Sequence, residues 1–196
     1  MSMSSPTAQS VVDTRRESES EWDTIATALN RWGILHVAPG RRRRAGVPRT
    51  AGALIERLVY TTEPWLHQAL VVLLLTHPHL AEEARQMIDR LEGAPRDRAM
   101  RRYVAAAALQ RMARTRNALR LGPQPLLPAA YLDALHLPPL DEEFGRASLL
   151  AVAAEERNRY GYDAWGTYRT LLDLFLDEIR HRDWGVTCDS KRIEHA

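Results

Sequence analysis

The chain has 196 residues, 45% of them hydrophobic and 27% charged, which suits one domain with tails and a sizeable core. Its net charge of +2 is too small to imply nucleic-acid binding by itself. The single cysteine, Cys188, excludes an intrachain disulfide and fits a reducing, cytoplasmic setting.

Residues 1–17 are polar, Ser/Thr-rich and without period, and read as a disordered tail with no secretory signal. Ser18-x-x-Glu21 is a capping box that opens a helix carrying Trp22, Ile25, Ala26, Leu29 and Trp32 inward, and Gly33 ends it. Ile34 to Val37 reads as a short extended piece. Pro39 to Pro48, with Arg41, Arg42, Arg43 and Arg44, is a basic loop bracketed by Gly and Pro. A second helix over 49–60 follows, with Leu54, Ile55, Leu58 and Val59 on one side.

Glu63 and Pro64 mark another helix start, and Trp65 to Leu75 is nearly all apolar and predicted buried. Its run Ala69 to Leu75 is far short of the roughly 20 residues that span a bilayer. Thr76-His77-Pro78-His79 breaks that helix and caps the next, with Glu82 and Glu83 in the first turn where the helix dipole favours acids. Gly93-Ala94-Pro95 then launches a long helix from Arg96 to Leu121.

That long helix organises the rest. Tyr103 to Leu109 is apolar on every side, the signature of a helix wrapped by its neighbours, and its alanines allow close approach. Arginines crowd both ends. Arg98, Arg102, Arg116 and Arg120 project within about 40° of one another on a helical wheel, forming two basic patches on one edge. Residues 94–122 carry a net charge of +7, against −3 for 61–93 and −5 for 123–180. Pairing with those acidic flanks is the expected fate of most of these arginines. The chain's 26 Arg to one Lys discounts arginine richness as a signal.

Gly122 to Pro128 is too proline-rich for a helix, yet its leucines predict a connector pressed onto the bundle. A short helix over Ala129 to Leu135 is expected next. Asp141-Glu142-Glu143 then starts a helix through Phe144, Leu149, Leu150 and Val152 to about Asn158. Asp163 caps a last helix with Trp165, Tyr168, Leu172, Phe175 and Ile179 at steps of three and four, and a polar tail begins near Asp183. No alternating β-branched run occurs. The expected fold is all-α, a single-domain bundle over 18–182 of about seven helices around the central one.

Reactive constellations are thin. His67, His77 and His79 cluster at a helix junction, and Glu82 or Glu83 could add oxygen, but no further ligand completes a metal spacing. The reading is therefore no metal and no cofactor. Arg31 and His36 match the Arg-x4-His spacing of HEPN ribonucleases, although Gly33 interrupts the helix that the family's motif occupies. Glu155-Glu156 and Asp177-Glu178 are paired acids beside Arg157, Arg159, Arg180 and Arg182, the pattern of solvated helix faces.

Leu121 to Pro128, Leu135-His136-Leu137-Pro138, Glu143-Phe144-Gly145, Tyr60 to Pro64 and Leu73 to Pro78 together resemble a pattern in an uncharacterised group of helical bacterial proteins. The resemblance covers about residues 60–180. It implies an all-helical bacterial protein and admits a partnership with a nucleotidyltransferase-type toxin. It supplies no catalytic residue.

The sequence thus points to a non-enzymatic helical interaction module, a subunit, adaptor or antitoxin-like partner of another protein or of a second copy. The alternative is a nucleic-acid-binding protein. Candidate contacts for either are Arg41, Arg42, Arg43, Arg44, Arg49, Arg98, Arg102, Arg116 and Arg120, whose guanidinium forks suit oxyanions and carboxylates alike. The aromatics fall at core spacings, not beside the basic loop where single-stranded nucleic acid would want them.

Overall fold

The computed structural model describes residues 23–34, 48, 50–61 and 66–190, without the side chains of His67, Asn117, Arg120, Leu121 and 178–190. The tail over 1–17, the capping box at Ser18, the basic loop Arg41 to Arg44, Arg49 and His36 lie outside the described residues.

Seven α-helices and no strand occur among the described residues. They are α1 over 23–31, α2 Ala51–Tyr60, α3 Leu66–Thr76, α4 Ala81–Asp89, α5 Gly93–Leu121, α6 Arg146–Tyr160 and α7 Ala164–Ser190. The class is all-α. No described helix is long and apolar enough to cross a membrane.

Local chemistry sets most boundaries. Gly33, at φ 76°, turns the chain out of α1 and lets Ile34 N–H reach Leu29 O at 3.0 Å, the reversal that left-handed glycine favours. The Thr50 side chain accepts from Ala53 N–H at 3.3 Å to cap α2. Pro78 opens a 3-10 turn, Pro78–Leu80, ahead of α4. The Asp163 carboxylate accepts from Gly166 N–H at 3.1 Å at the start of α7.

α5 runs through the middle and touches α2, α3, α4, α6 and α7. Every residue from Ala99 to Gln110 is buried, arginines included. Around it pack Leu54, Ile55 and Leu58 of α2, Leu70, Leu73 and Leu74 of α3, Leu149 and Val152 of α6 and Tyr168 of α7. Each large buried aliphatic contributes roughly 1.5–3 kcal/mol through the hydrophobic effect. The proline-rich connector is pressed on as expected. Leu127 is fully buried, its N–H donates to Gln110 Oε1 at 2.6 Å, and Gln110 Nε2 donates to Pro125 O at 3.2 Å.

Three elements differ from the sequence reading. The helix expected over Ala129 to Leu135 is a single turn, in which Leu135 N–H reaches Tyr131 O at 3.0 Å. Left-handed residues on either side, Tyr131 at φ 68° and His136 at φ 52°, stop it from growing. The helix expected from Asp141 starts only at Arg146, behind a 3-10 turn, Glu142–Gly145, in which Glu143, Phe144 and Gly145 are all left-handed. α7 continues to Ser190, past the polar tail expected from 183.

Candidate interaction surface

The arginines of α5 have three different fates, so the two basic patches expected on one edge are unlike: Arg98 and Arg102 are drawn inward, while Arg116 is exposed. The first is internal pairing. Arg101 Nε donates to Glu155 Oε2 at 2.6 Å. Arg102, 4% exposed, donates through Nη1 to Glu156 Oε1 and also to Tyr168 Oη at 2.6 Å. Glu156, 2% exposed, accepts on Oε2 from Tyr162 Oη at 2.8 Å and Tyr168 Oη at 3.0 Å. A buried carboxylate is tolerable only with a partner and satisfied lone pairs, and Glu156 has both.

Arg102 is therefore a core residue, placed away from any partner. Burial works against its charge, but Tyr168 and Glu156 outweigh it and raise its pKa above the ordinary guanidinium value. Burial in turn drives the Tyr168 phenol well above 10, against the pull of Arg102, and raises Tyr162 in the same way. This cluster ties α5 to α6 and α7.

The second fate is semi-burial. Arg111 Nη1 donates to Ala107 O at 3.0 Å and to Leu127 O at 3.3 Å, fixing the connector. Burial lowers its pKa, and nearby Asp141 opposes the shift. Arg98 is half-buried and, with Arg102, Leu58, Val59, Leu70 and Ala99, lines a cavity of about 10 Å³. That is the volume of about one water. The Nε of each of these two arginines is buried without a hydrogen-bond partner.

The third fate is exposure. Arg114, Thr115, Arg116, Ala118 and Leu119 all face solvent at the C-terminal end of α5, with Leu119 82% exposed. Neither Arg114 nor Arg116 pairs with an acid among the described residues. Of the nine arginines singled out in the sequence, Arg116 is the one whose side chain is both described and exposed.

Sequence reasoning missed a second exposed feature, the turn before α6. Phe144, expected within a helix, stands 75% exposed. Glu143 at φ 47° and Phe144 at φ 57° precede Gly145 at φ 88°. Left-handed conformation costs a non-glycine residue on the order of 1–3 kcal/mol, so tertiary packing must impose it. Gly145 sits against α5 so closely that a Cβ there would lie 2.9 Å from Ala108 Cα. Leu140 is buried, and Ser148 Oγ donates to Pro138 O at 2.8 Å. Both ends of the turn are thereby held. Asp141, Glu142 and Glu143 are exposed beside the ring and form no ion pair among the described residues. The result is an acidic finger, anchored at both ends and carrying an exposed aromatic ring.

Other candidates fare less well. His77 Nε2 lies 2.7 Å from Trp32 O and its ring packs edge-on against Trp32 and His79, a structural post between the end of α1 and the junction of α3 with α4. No group of metal-ligating side chains forms among the described residues. Arg31 is exposed at the end of α1. A groove of about 490 Å³ runs between α6 and α7, lined by Leu150, Ala153, Arg157, Asn158, Asp163 and Trp165 among others. Comparison with protein families, with characterised proteins and with solved structures found no match.

Proposed function

We propose that the protein is a non-enzymatic helical interaction module, a subunit, adaptor or antitoxin-like partner that binds another protein. The observation that carries this reading is Phe144, held out in solvent on consecutive left-handed residues by a turn whose two ends are anchored in the core. A preorganised aromatic lowers the ordering cost of binding and is a typical interface anchor. Strain of this kind persists where the surroundings over-determine it, often at ligand clamps.

The test is affinity capture from the native host at modest salt, with wild type and Phe144→Ala side by side. A stoichiometric companion recovered by wild type and lost with the variant supports the proposal. A wild type that stays alone, or a companion indifferent to Phe144, overturns it.

The second reading is nucleic-acid binding through the loop Arg41 to Arg44 and the outer arginines of α5. The exposed Arg114 and Arg116, without acidic partners among the described residues, favour it. It requires affinity for nucleic acid that falls steeply with salt as counterions are released. A flat salt response excludes it.

A further inference from the structure

The finger and the free end of α5 lie on one face of one helix. Ala108, against which Gly145 packs, and Leu119 are eleven residues apart, so they project within about 20° of each other, about 16 Å apart along the axis. Between them on the same stripe come Met112, half-buried, and Thr115, exposed. The proline-rich connector docks on Gln110, about 200° around the helix from Ala108, and on Arg111, about 60° from Ala108 on the side away from Met112, and it leaves Thr115 and Leu119 exposed. The face that receives the finger thus continues into solvent.

The two ends of the stripe are complementary. One end presents Phe144, 75% exposed, beside Glu142 and Glu143. The other presents Leu119, 82% exposed, with Arg116 one turn before it. These are the two most exposed large apolar side chains among the described residues. Ring and carboxylates on one side, leucine and guanidinium on the other, make a matched pair that one molecule cannot close on itself, since its own finger is fixed at the level of Ala108.

We infer that the occupant of this face is a second copy of the chain, in an antiparallel, two-fold arrangement of α5 against α5. The finger of each protomer reaches the Leu119–Arg116 end of its partner, with the symmetry axis near the level of residues 113–114. A two-fold axis needs a self-complementary patch in which each contact occurs twice. Placing opposite charges at the two ends of one stripe satisfies that for the antiparallel pairing and penalises the parallel one, where like charges meet. This assignment rests on the reading of the finger as an interaction surface and names its partner.

The experiment is sedimentation equilibrium of the full chain at about 10 to 100 μM, at low and at high salt. Wild type is expected to dimerise, more weakly at high salt. Phe144→Ala should weaken the dimer by about 100-fold, since each ring contact worth a factor of ten is lost twice. Glu142→Arg with Glu143→Arg should leave a monomer, and so should Arg116→Glu. A mixture of those two charge-reversed proteins should re-associate, because in the mixed dimer both contacts again join opposite charges. Circular dichroism confirms that each variant keeps its helices. A wild type that is monomeric throughout this range, or reversed proteins that fail to recover each other, overturns the self-association. If a captured companion still depends on Phe144 in that case, the self-association alone is lost and the interaction reading stands.

Discussion

The Cα of Ala108 would lie 2.9 Å from a Cβ on Gly145, and the Ala108 carbonyl oxygen 3.0 Å from it. Backbone meets backbone here, with φ 88° on the glycine side. Gly145→Ala therefore meets both a clash and an unfavourable dihedral. A loss of about 2–4 kcal/mol is expected in urea denaturation. A change below about 0.5 kcal/mol would show that the finger is free to lift off α5.

The buried pair Arg102–Glu156 should behave asymmetrically. Arg102→Met strands a carboxylate that is 2% exposed and should cost about 3–5 kcal/mol. Adding Glu156→Gln removes the stranded charge while keeping an acceptor for the hydroxyls of Tyr162 and Tyr168. The double variant is then more stable than Arg102→Met alone. Additive losses in this cycle would contradict an ion pair that works as a unit.

Stability should fall on the alkaline side. Burial pushes the Tyr103 phenol up to about 12 and raises Tyr131, Tyr162 and Tyr168 above their ordinary value. Unfolded tyrosine ionises near about 10. Above that pH the unfolded chain sheds protons that the folded chain keeps, so unfolding becomes easier as pH rises toward the folded values. The stabilising effect of these phenols is fully present below pH 10. Denaturation midpoints should be flat across their neutral window and then drop. The hydroxyl of Tyr103 is buried without a hydrogen-bond partner, so Tyr103→Phe should be neutral or stabilising by up to about 1 kcal/mol. It should also make the alkaline drop shallower.

Gln110 holds the connector by two hydrogen bonds to backbone, at Leu127 N–H and Pro125 O. In Gln110→Ala the buried Leu127 amide loses its acceptor, at a cost of about 1–3 kcal/mol. Amide hydrogen exchange at Leu127 should accelerate well beyond exchange at the core of α5. Unchanged protection would mean that the leucine side chain alone secures the segment.

What the sequence made legible followed from local rules. Tyr103 to Leu109 had no polar side, and the structure buries all of it. Gly33 and Asp163 act as the terminator and cap that their chemistry suggests. The acidic flank did draw in Arg101 and Arg102, both to acids 54 positions on. Glu155 and Glu156 nonetheless looked alike as a solvated pair. The pattern of charges did not distinguish them, and the Tyr162 and Tyr168 hydroxyls that bind Glu156 were the available sign of which one turns in. The finger was hidden for a stronger reason. Asp141-Glu142-Glu143 has the charge pattern of a helix start, and its left-handed run comes from Gly145 having to touch α5, a demand made by a segment 37 positions away.

The placement of α5 in the chain has a consequence for synthesis. α3, with its run Ala69 to Leu75 buried on every side, leaves the ribosome before the helix that covers it. α1 to α4 cannot enclose that run themselves, and α6 and α7 need α5 as their seat. Chains released before Gly93, without α5, should therefore be sticky and protease-sensitive, since exposed apolar surface in partly made domains promotes aggregation. Release after Ser190 should give soluble, resistant protein, with the nascent chain passing from one state to the other late in translation.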